Sequence, residues 1–327
     1  MAYSNEIIRR ARERLATAKA DRESENNQHL AQAYRQVPRL WEIDKLLRES
    51  MALAAQAVLA QGGDARAAME EVKNANLALQ QERAALVALH FEEGFLDDSP
   101  ICDCCGGTGY VGSNMCECLL ELCRQEQKKE ITILSGGRED FAQFRLEYYP
   151  DRYDPQYGAS ARTIMKKTLS VCRSYAITFS QHSDNLLFSG DTGLGKTFLS
   201  ACISRVVADR GYSVAYESAS RLFSVLERAR FNNDEEARKE SEKFISCDLL
   251  ILDDLGTEIP GQFVTAVLYS LINDRLLATK PTIISTNLNT EEFAQRYSSQ
   301  VASRLMGSYR RVTFVGEDIR IMKRNGL

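Results

Sequence analysis

Apolar side chains recur at helical spacing through the first part of the chain. Ile7, Ala11 and Leu15 lie on one face of a helix, and a similar stripe resumes beyond Pro38. Proline is tolerated at the start of a helix but interrupts its interior. The pattern therefore predicts helix from residue 4 to about residue 60, broken near Pro38.

A second apolar stripe follows Gly62-Gly63-Asp64, a sequence that predicts a helix stop and a new N-terminal cap. Its members repeat every seven residues and are Val72, Leu79 and Leu86. The pattern predicts a helix over about 65–89, packed in an ordinary bundle or in a coiled coil with a partner. We expect residues 1–95 to be a helical interaction region.

The pattern changes from about residue 160, where short apolar or β-branched runs alternate with helical segments. The runs are NLLFSG, YSVAYE, CDLLILDD, TIISTN and RVTFVG. Such alternation is typical of βαβ units, in which helices cover both faces of a parallel sheet. An α/β fold is therefore predicted for this part of the chain.

Composition adds limits on the class of protein. The 327 residues allow about two or three compact units, and nothing at the N-terminus resembles an apolar leader. The longest mostly apolar stretch, MALAAQAVLA, is about half of the roughly 20 residues that a membrane helix needs. We expect a cytoplasmic protein without a membrane partner.

The net charge of only -4 means that nucleic acid would have to bind a local basic patch. One candidate lies between residues 301 and 327, where six basic residues outnumber two acids. The basic residues are Arg304, Arg310, Arg311, Arg320, Lys323 and Arg324.

Six of the nine cysteines lie between residues 102 and 123. Two closely spaced pairs in this segment offer four thiolates for tetrahedral Zn²⁺, and their members are Cys102, Cys105, Cys116 and Cys118. Cys104 can replace Cys105 in this set, and Cys123 is a spare thiol. Reduced buried thiols and an iron–sulfur cluster remain as alternatives to zinc.

A phosphate-binding loop follows the first β run. The sequence GDTGLGKT fits the pattern G-x-x-x-x-G-K-[ST], whose glycines let backbone N–H groups surround an anion. Lys196 would contact the β- and γ-phosphates of ATP, and the Thr197 hydroxyl would bind Mg²⁺. The predicted nucleotide-binding residues are Gly190, Asp191, Thr192, Gly193, Leu194, Gly195, Lys196, Thr197, Phe198 and Asp253.

Two further strand ends carry polar residues that suit the same site. Asp253 and Asp254 end an apolar run. We expect Asp253 to hold Mg²⁺ through its water shell, and Asp254 to orient or deprotonate the water molecule that attacks the γ-phosphate. Asn287 ends the TIISTN run, where its amide can hydrogen-bond the phosphate or the water.

Together these motifs resemble the AAA+ ATPases of the DnaC/DnaI helicase-loader family. The resemblance covers residues 140 to 327 and rests on TGLGKTFLSACI, DLLILDDLGTE, LYSLINDRL, KPTIISTNL, RYSSQVASRLMGSY and GEDIR. It implies that Arg304 is an arginine finger acting on the ATP site of the next subunit. It also implies that Arg320 reaches the γ-phosphate in its own subunit.

The resemblance further implies a function and a domain organisation. The expected protein is an ATPase that self-associates through its ATP site, binds single-stranded DNA and loads a replicative hexameric helicase during DNA replication. The expected domains are a helical region at 1–95, a zinc module that helps to bind the helicase at 96–135, and an AAA+ domain at 136–327. The alternatives are an IstB-like transposition helper, which acts on duplex DNA with a transposase, and a binding adaptor.

Overall fold

The computed structural model of the protein describes residues 3–59, 65–135, 140–232 and 234–324. Its α-helices are α1 Asn5–Gln36, α2 Pro38–Leu59, α3 Ala65–His90, α4 Glu117–Ser135, α5 Ala161–Thr178, α6 Lys196–Asp209, α7 Ala219–Phe231, α8 Glu235–Ser246, α9 Gln262–Leu277, α10 Thr290–Tyr297, α11 Ser299–Ser308 and α12 Ile319–Arg324. Its strands are β1 Tyr110–Val111, β2 Asn114–Met115, β3 Tyr153–Asp154, β4 Ala159–Ser160, β5 Asn185–Ser189, β6 Val214–Ser218, β7 Leu249–Leu255, β8 Thr282–Thr286 and β9 Tyr309–Thr313.

The chain forms two compact units. One contains residues 13–118, and the other contains residues 1–12 together with residues 119–327. The functional division at residues 95 and 135 stays a prediction. Among the described residues, no helix is both long and apolar enough to cross a membrane.

Helices α2 and α3 pack against each other in the unit of residues 13–118. Pro38 is the first residue of α2, where its fixed φ suits the first helical turn and its missing N–H costs nothing. The two helices pair through the salt bridges of Arg39 with Glu82 and of Arg83 with Asp44, at 2.8 and 2.7 Å. The predicted helices and the break at Pro38 are confirmed, whereas the expected stop at Gly62-Gly63-Asp64 lies outside the described residues.

The larger unit is built on a five-stranded sheet with the order β6-β7-β8-β5-β9. Every strand pair in this sheet is parallel, so the α/β prediction is confirmed and all five predicted runs contain strands. Because parallel strands end at the same edge, the segments after β5, β7 and β8 meet there. This edge therefore carries the phosphate loop, the two acids and Asn287.

Helices cover both faces of the sheet, because alternate strand residues are apolar on each side. In β5, Leu187 belongs to one buried cluster while Leu186 and Phe188 belong to the other. Helix α6 packs Leu199 and Ile203 against the second cluster. The helix that follows the phosphate loop is therefore anchored in the core.

Candidate functional site

The loop between β5 and α6 has the backbone that a phosphate-binding loop requires. Gly190, Gly193 and Gly195 have φ values of 150°, 75° and 90°, which side chains rarely adopt. A Cβ on Gly190 would lie 2.3 Å from the carbonyl oxygen of Phe314, and one on Gly193 would lie 2.0 Å from Asp318. The loop therefore needs glycine both for its backbone angles and for its close neighbours.

Lys196 begins α6 with its ammonium turned back into this loop. The ammonium donates to the carbonyl oxygens of Gly190 and Asp191, both at 2.7 Å. Burial lowers the pKa of Lys196, although the nearby charges of Asp254 and Asp253 oppose this effect. A phosphate bound in the loop would give the ammonium a charged acceptor.

A pocket of about 360 Å³ opens beside the loop. Its lining includes the phosphate loop from Thr192 to Phe198 with Asp254 and Arg320, and also Gln143, Phe144, Arg145, Tyr148, Tyr149 and Ile319. The pocket thus joins a phosphate loop to an aromatic wall of the kind that suits a nucleotide base.

Two contacts fix the loop to this wall. The Tyr149 hydroxyl donates to the Leu194 carbonyl at 3.0 Å, and the Ile319 N–H donates to the Gly193 carbonyl at 3.1 Å. Phe144 stacks on Tyr149 with the ring centroids 5.6 Å apart. These residues belong to no motif that marks them as part of the site, although aromatic residues are concentrated before residue 150.

The two acids at the end of β7 have different surroundings. Asp253 is 5% exposed and accepts hydrogen bonds from the hydroxyls of Tyr216 and Ser285. Asp254 is exposed and lines the nucleotide pocket. Desolvation, followed by the charge of Asp253, raises the pKa of Asp254, while Lys196 and Arg320 lower it.

The donor set suits Mg²⁺, which prefers oxygen ligands and keeps several water molecules. Thr197 offers a hydroxyl in the first turn of α6, and Asp253 offers a carboxylate at the end of β7. Bound there, Mg²⁺ would supply positive charge to the phosphates.

Asn287 lies at the same edge of the sheet but lines a different cavity. This cavity of about 690 Å³ includes Gly190, Asp191 and Arg311. The Asn287 side-chain oxygen is 3.4 Å from the position of a Cβ on Gly256, in the turn that follows the acids. The structure therefore places Asn287 near the acid-bearing turn, on a second cavity that shares the phosphate loop.

The two predicted arginines lie in different places. Arg320 lines the nucleotide pocket, and its charge acts on Asp254 and Lys196. Arg304 is exposed on α11, where its guanidinium lies 5.6 Å from the centre of the Tyr269 ring and donates to the Tyr269 hydroxyl at 3.3 Å. It therefore has a separate partner in this structure and does not line the pocket.

The basic segment at the C-terminus has several separate contacts. Arg310 and Arg311 are adjacent in β9, so their side chains leave opposite faces of the strand. Arg311 donates to the Ser189 hydroxyl at 2.8 Å. The side chain of Lys323 lies outside the described part of the structure.

The cysteine cluster lies in the unit of residues 13–118. Four sulfur atoms lie within 4.8 Å of one another, those of Cys102, Cys105, Cys116 and Cys118. The sulfur distances are 3.8 Å for Cys102 to Cys116 and 3.5 Å for Cys105 to Cys118. Tetrahedral zinc with Zn–S bonds of about 2.3 Å places its sulfurs about 3.8 Å apart, so these four residues fit Zn²⁺.

The remaining two cysteines of the segment do not belong to this cluster. Cys104 is exposed, and Cys123 is buried within α4. The geometry therefore favours Cys105 over Cys104 as a ligand. Zn²⁺ held by four thiolates would contribute to folding, since no position is left for a reacting water molecule.

Comparison with known proteins identifies the family. A family model described as IstB-like ATP binding protein matches residues 145–323, which is more than half of the chain. The protein belongs to this family of ATP-binding proteins. The matched part of its larger unit is accordingly an AAA+ P-loop domain, in agreement with the fold and the phosphate loop, and the resemblance stated from the sequence is confirmed.

Curated relatives include replication and insertion-sequence proteins. The replicative helicase loader DnaC of Escherichia coli K12 is 26% identical over 137 residues, which are 42% of this chain and 56% of DnaC. The insertion sequence IS232 ATP-binding protein of Bacillus thuringiensis subsp. berliner is 26% identical over 151 residues, 45% of this chain and 59% of that protein. The chain thus spans little more than half the length of these relatives.

A third relative and one solved structure extend the comparison. The YdaV protein of Escherichia coli K12 is 24% identical over 215 residues, 64% of this chain and 81% of YdaV. The crystal structure of the DnaC helicase loader aligns with a TM-score of 0.44 and 19% identity, covering 54% of this chain and 98% of that one.

Proposed function

We propose that this protein is an ATP-dependent loader of a replicative DNA helicase. The observation that carries this proposal is the pocket in which a phosphate loop, Asp254 and Arg320 meet, in a chain related to DnaC. ATP, held with Mg²⁺, would be hydrolysed to ADP and phosphate in an oligomer. Its binding and hydrolysis would control the hold of the protein on the helicase and on single-stranded DNA.

The residues of the pocket suggest a division of roles in hydrolysis. Asp254 would orient the attacking water molecule, because it is the acid that reaches the pocket, whereas Asp253 is buried. Arg320 would neutralise charge on the γ-phosphate from within the same subunit. Asn287 would approach the phosphate or the water from its neighbouring cavity.

Arg304 supports the proposal of self-association. Its guanidinium lies on Tyr269 and not in the pocket of its own subunit. It is exposed, so a second subunit can accept it at its ATP site. An arginine supplied in this way stabilises the charge of phosphoryl transfer only in the assembled state.

The N-terminal half would provide the helicase contact. We propose a helical interaction region at 1–95 and a zinc module at 96–135, preceding the ATPase domain at 136–327. The four clustered cysteine sulfur atoms support the zinc module. Zn²⁺ would stabilise the fold of a docking surface there.

Affinity capture from the host tests this function. The full-length tagged protein is compared with Lys196→Ala, with and without ATP, and the captured proteins are identified by mass spectrometry. We expect the wild type to capture a replicative helicase in an ATP-sensitive manner, and Lys196→Ala to lose that sensitivity. Capture of no helicase in either nucleotide state would contradict the proposal.

A transposition helper is the second candidate, because the matching family is IstB-like and an insertion-sequence ATP-binding protein is among the relatives. In that case the same capture would recover a transposase. The protein would also bind duplex DNA more tightly than single-stranded DNA in the presence of ATP. The two functions thus differ in partner and in DNA form.

A further inference from the structure

The two acids at the end of β7 occupy a β-bulge. Leu252 pairs with Ile284 and Leu255 pairs with Thr286, so two residues of β7 lie opposite the single residue Ser285 of β8. Those two residues are Asp253 and Asp254. A bulge of this kind re-aims side chains and is common next to active sites.

Ser285 is hydrogen-bonded to both acids. Its hydroxyl donates to one carboxylate oxygen of Asp253 and accepts from the backbone N–H of Asp254 at 2.9 Å. Asp254 has a φ of 54°, a left-handed conformation that is uncommon outside glycine. One fully buried hydroxyl thus holds the carboxylate of one acid and the backbone of the other.

Tyr216 binds the second carboxylate oxygen of Asp253. Its hydroxyl donates to that oxygen at 2.9 Å. Tyr216 pairs with Ile251, two residues before Asp253 on β7, so both side chains leave the same face of the sheet. Strands on either side of β7 therefore each supply one hydroxyl to the same carboxylate.

We propose that Ser285 and Tyr216 are positioning residues for the Mg²⁺-binding acid and for the acid that faces ATP. This inference rests on the proposed ATP and Mg²⁺ chemistry of the site, but not on a helicase or a transposase as partner. A buried carboxylate held by two hydroxyls keeps one orientation. Without the Ser285 hydroxyl, Asp253 turns, and the backbone of Asp254 loses the bond that supports its left-handed conformation.

The two hydroxyls have distinct expected effects. Groups that orient a metal ligand typically alter metal affinity by about 10–100-fold when they are removed. Ser285 contacts both acids, whereas Tyr216 contacts only Asp253. Loss of the Ser285 hydroxyl should therefore weaken Mg²⁺ binding more than loss of the Tyr216 hydroxyl.

A Mg²⁺ titration of nucleotide binding tests the proposal. Fluorescent ATP is bound to full-length wild type, Ser285→Ala, Tyr216→Phe and Ser285→Thr, first in EDTA and then with increasing Mg²⁺. We expect the Mg²⁺ midpoint to rise about tenfold or more in Ser285→Ala and less in Tyr216→Phe, with unchanged affinity in EDTA. Ser285→Thr keeps the hydroxyl, so its Mg²⁺ midpoint should equal that of the wild type.

Matched controls remove hydroxyls elsewhere in the same unit. Ser204→Ala removes a buried hydroxyl that donates to the Ala201 carbonyl in α6, and Tyr175→Phe removes a hydroxyl that donates to the Asp184 carbonyl. Neither control should shift the Mg²⁺ midpoint. Thermal unfolding of every variant identifies any that fail to fold. If Ser285→Ala does not fold, the proposal is tested by the Mg²⁺ midpoints of Ser285→Thr and Tyr216→Phe.

Three outcomes would overturn the proposal. The first is an unchanged Mg²⁺ midpoint in folded Ser285→Ala and Tyr216→Phe. The second is an equal loss of nucleotide affinity with and without Mg²⁺, which indicates a merely structural role. The third is a shift of the same size in the two controls. Failure to capture a helicase would contradict only the proposed function, because the titration needs no partner protein.

Discussion

The side chain of Gln127 is hydrogen-bonded to the backbone of Val214, at the edge of the sheet. Its amide oxygen accepts from the Val214 N–H at 3.0 Å, and its amide nitrogen donates to the Tyr212 carbonyl at 2.9 Å. Val214 begins β6, an outer strand of the sheet, and outer strands leave backbone groups unpaired. The buried Gln127 of α4 therefore supplies hydrogen bonds that a neighbouring strand would otherwise make at this edge.

Replacing Gln127 should destabilise the larger unit. Gln127→Leu leaves the buried Val214 N–H and the partly buried Tyr212 carbonyl without this partner, and a buried unsatisfied group costs about 1–3 kcal/mol. Urea unfolding, followed by circular dichroism, measures the change in the free energy of unfolding. Gln125→Leu is the control, since the Gln125 amide donates to the side chain of Glu121 on the surface of the same helix. Equal stabilities of the two variants would contradict this role.

The affinity for ATP should depend on pH through Lys196. Burial lowers the pKa of Lys196, so in the free protein the ammonium loses its proton at a lower pH than an ordinary lysine, whose pKa is about 10.4. As the pH rises, Lys196 loses its positive charge and no longer attracts the phosphates. The affinity for ATP should therefore begin to fall at a pH below the ordinary lysine pKa.

Binding of fluorescent ATP between about pH 7 and pH 10 measures this dependence, a range set by the ordinary lysine pKa. Lys196→Arg is the control, because arginine stays charged throughout this range. Its affinity should vary less steeply with pH than that of the wild type. Parallel pH profiles for the two proteins would show that Lys196 does not titrate in this range.

Arg304 should act on a neighbouring subunit. We expect Arg304→Ala to bind ATP like the wild type but to lose about 10³-fold or more in hydrolysis, the lower end of the range for arginine fingers. Lys196→Ala should be inactive because it does not bind ATP. Mixing the two inactive variants should restore part of the activity, since Lys196→Ala still supplies Arg304.

Phosphate release from the mixture, compared with each variant alone, measures this complementation. The double variant Lys196→Ala/Arg304→Ala is the control and should not restore Arg304→Ala. An inactive 1:1 mixture of variants that still associate would exclude action in trans.

The cysteine cluster should hold one Zn²⁺ per chain. We expect Cys105→Ser to lose the metal, whereas Cys104→Ser should retain it because Cys104 is exposed outside the cluster. Metal content by mass spectrometry and thermal unfolding of the full chain provide the readouts. Chelation should lower the unfolding temperature of the wild type and of Cys104→Ser. Loss of the metal in Cys104→Ser and its retention in Cys105→Ser would show that Cys104 is the ligand.

Much of the fold could be predicted from local sequence. The five strands were visible as apolar runs because a parallel sheet buries both faces of each strand. The break at Pro38 was visible because proline has a fixed backbone angle and no N–H. The order of the strands was not visible in the same way, since it depends on which distant segments pair.

In the candidate site too, some residues can be predicted from local sequence and others cannot. The phosphate loop could be identified because its chemistry lies in eight consecutive residues, GDTGLGKT. The aromatic wall of the pocket could not, since Tyr149 and Ile319 are far apart in the chain and meet only against the folded loop. The choice between Cys104 and Cys105 likewise needed the positions of four sulfur atoms.

The phosphate loop, the acid pair and the α/β class can be predicted from the chain alone, because each depends on the chemistry or periodicity of neighbouring residues. The contacts of Ser285 with both acids, of Gln127 with the sheet edge and of Arg304 with Tyr269 exist only in the folded protein. The physical reason is that a hydrogen bond needs its partners within about 3 Å. Only the folded chain brings residues from different strands and helices to that distance.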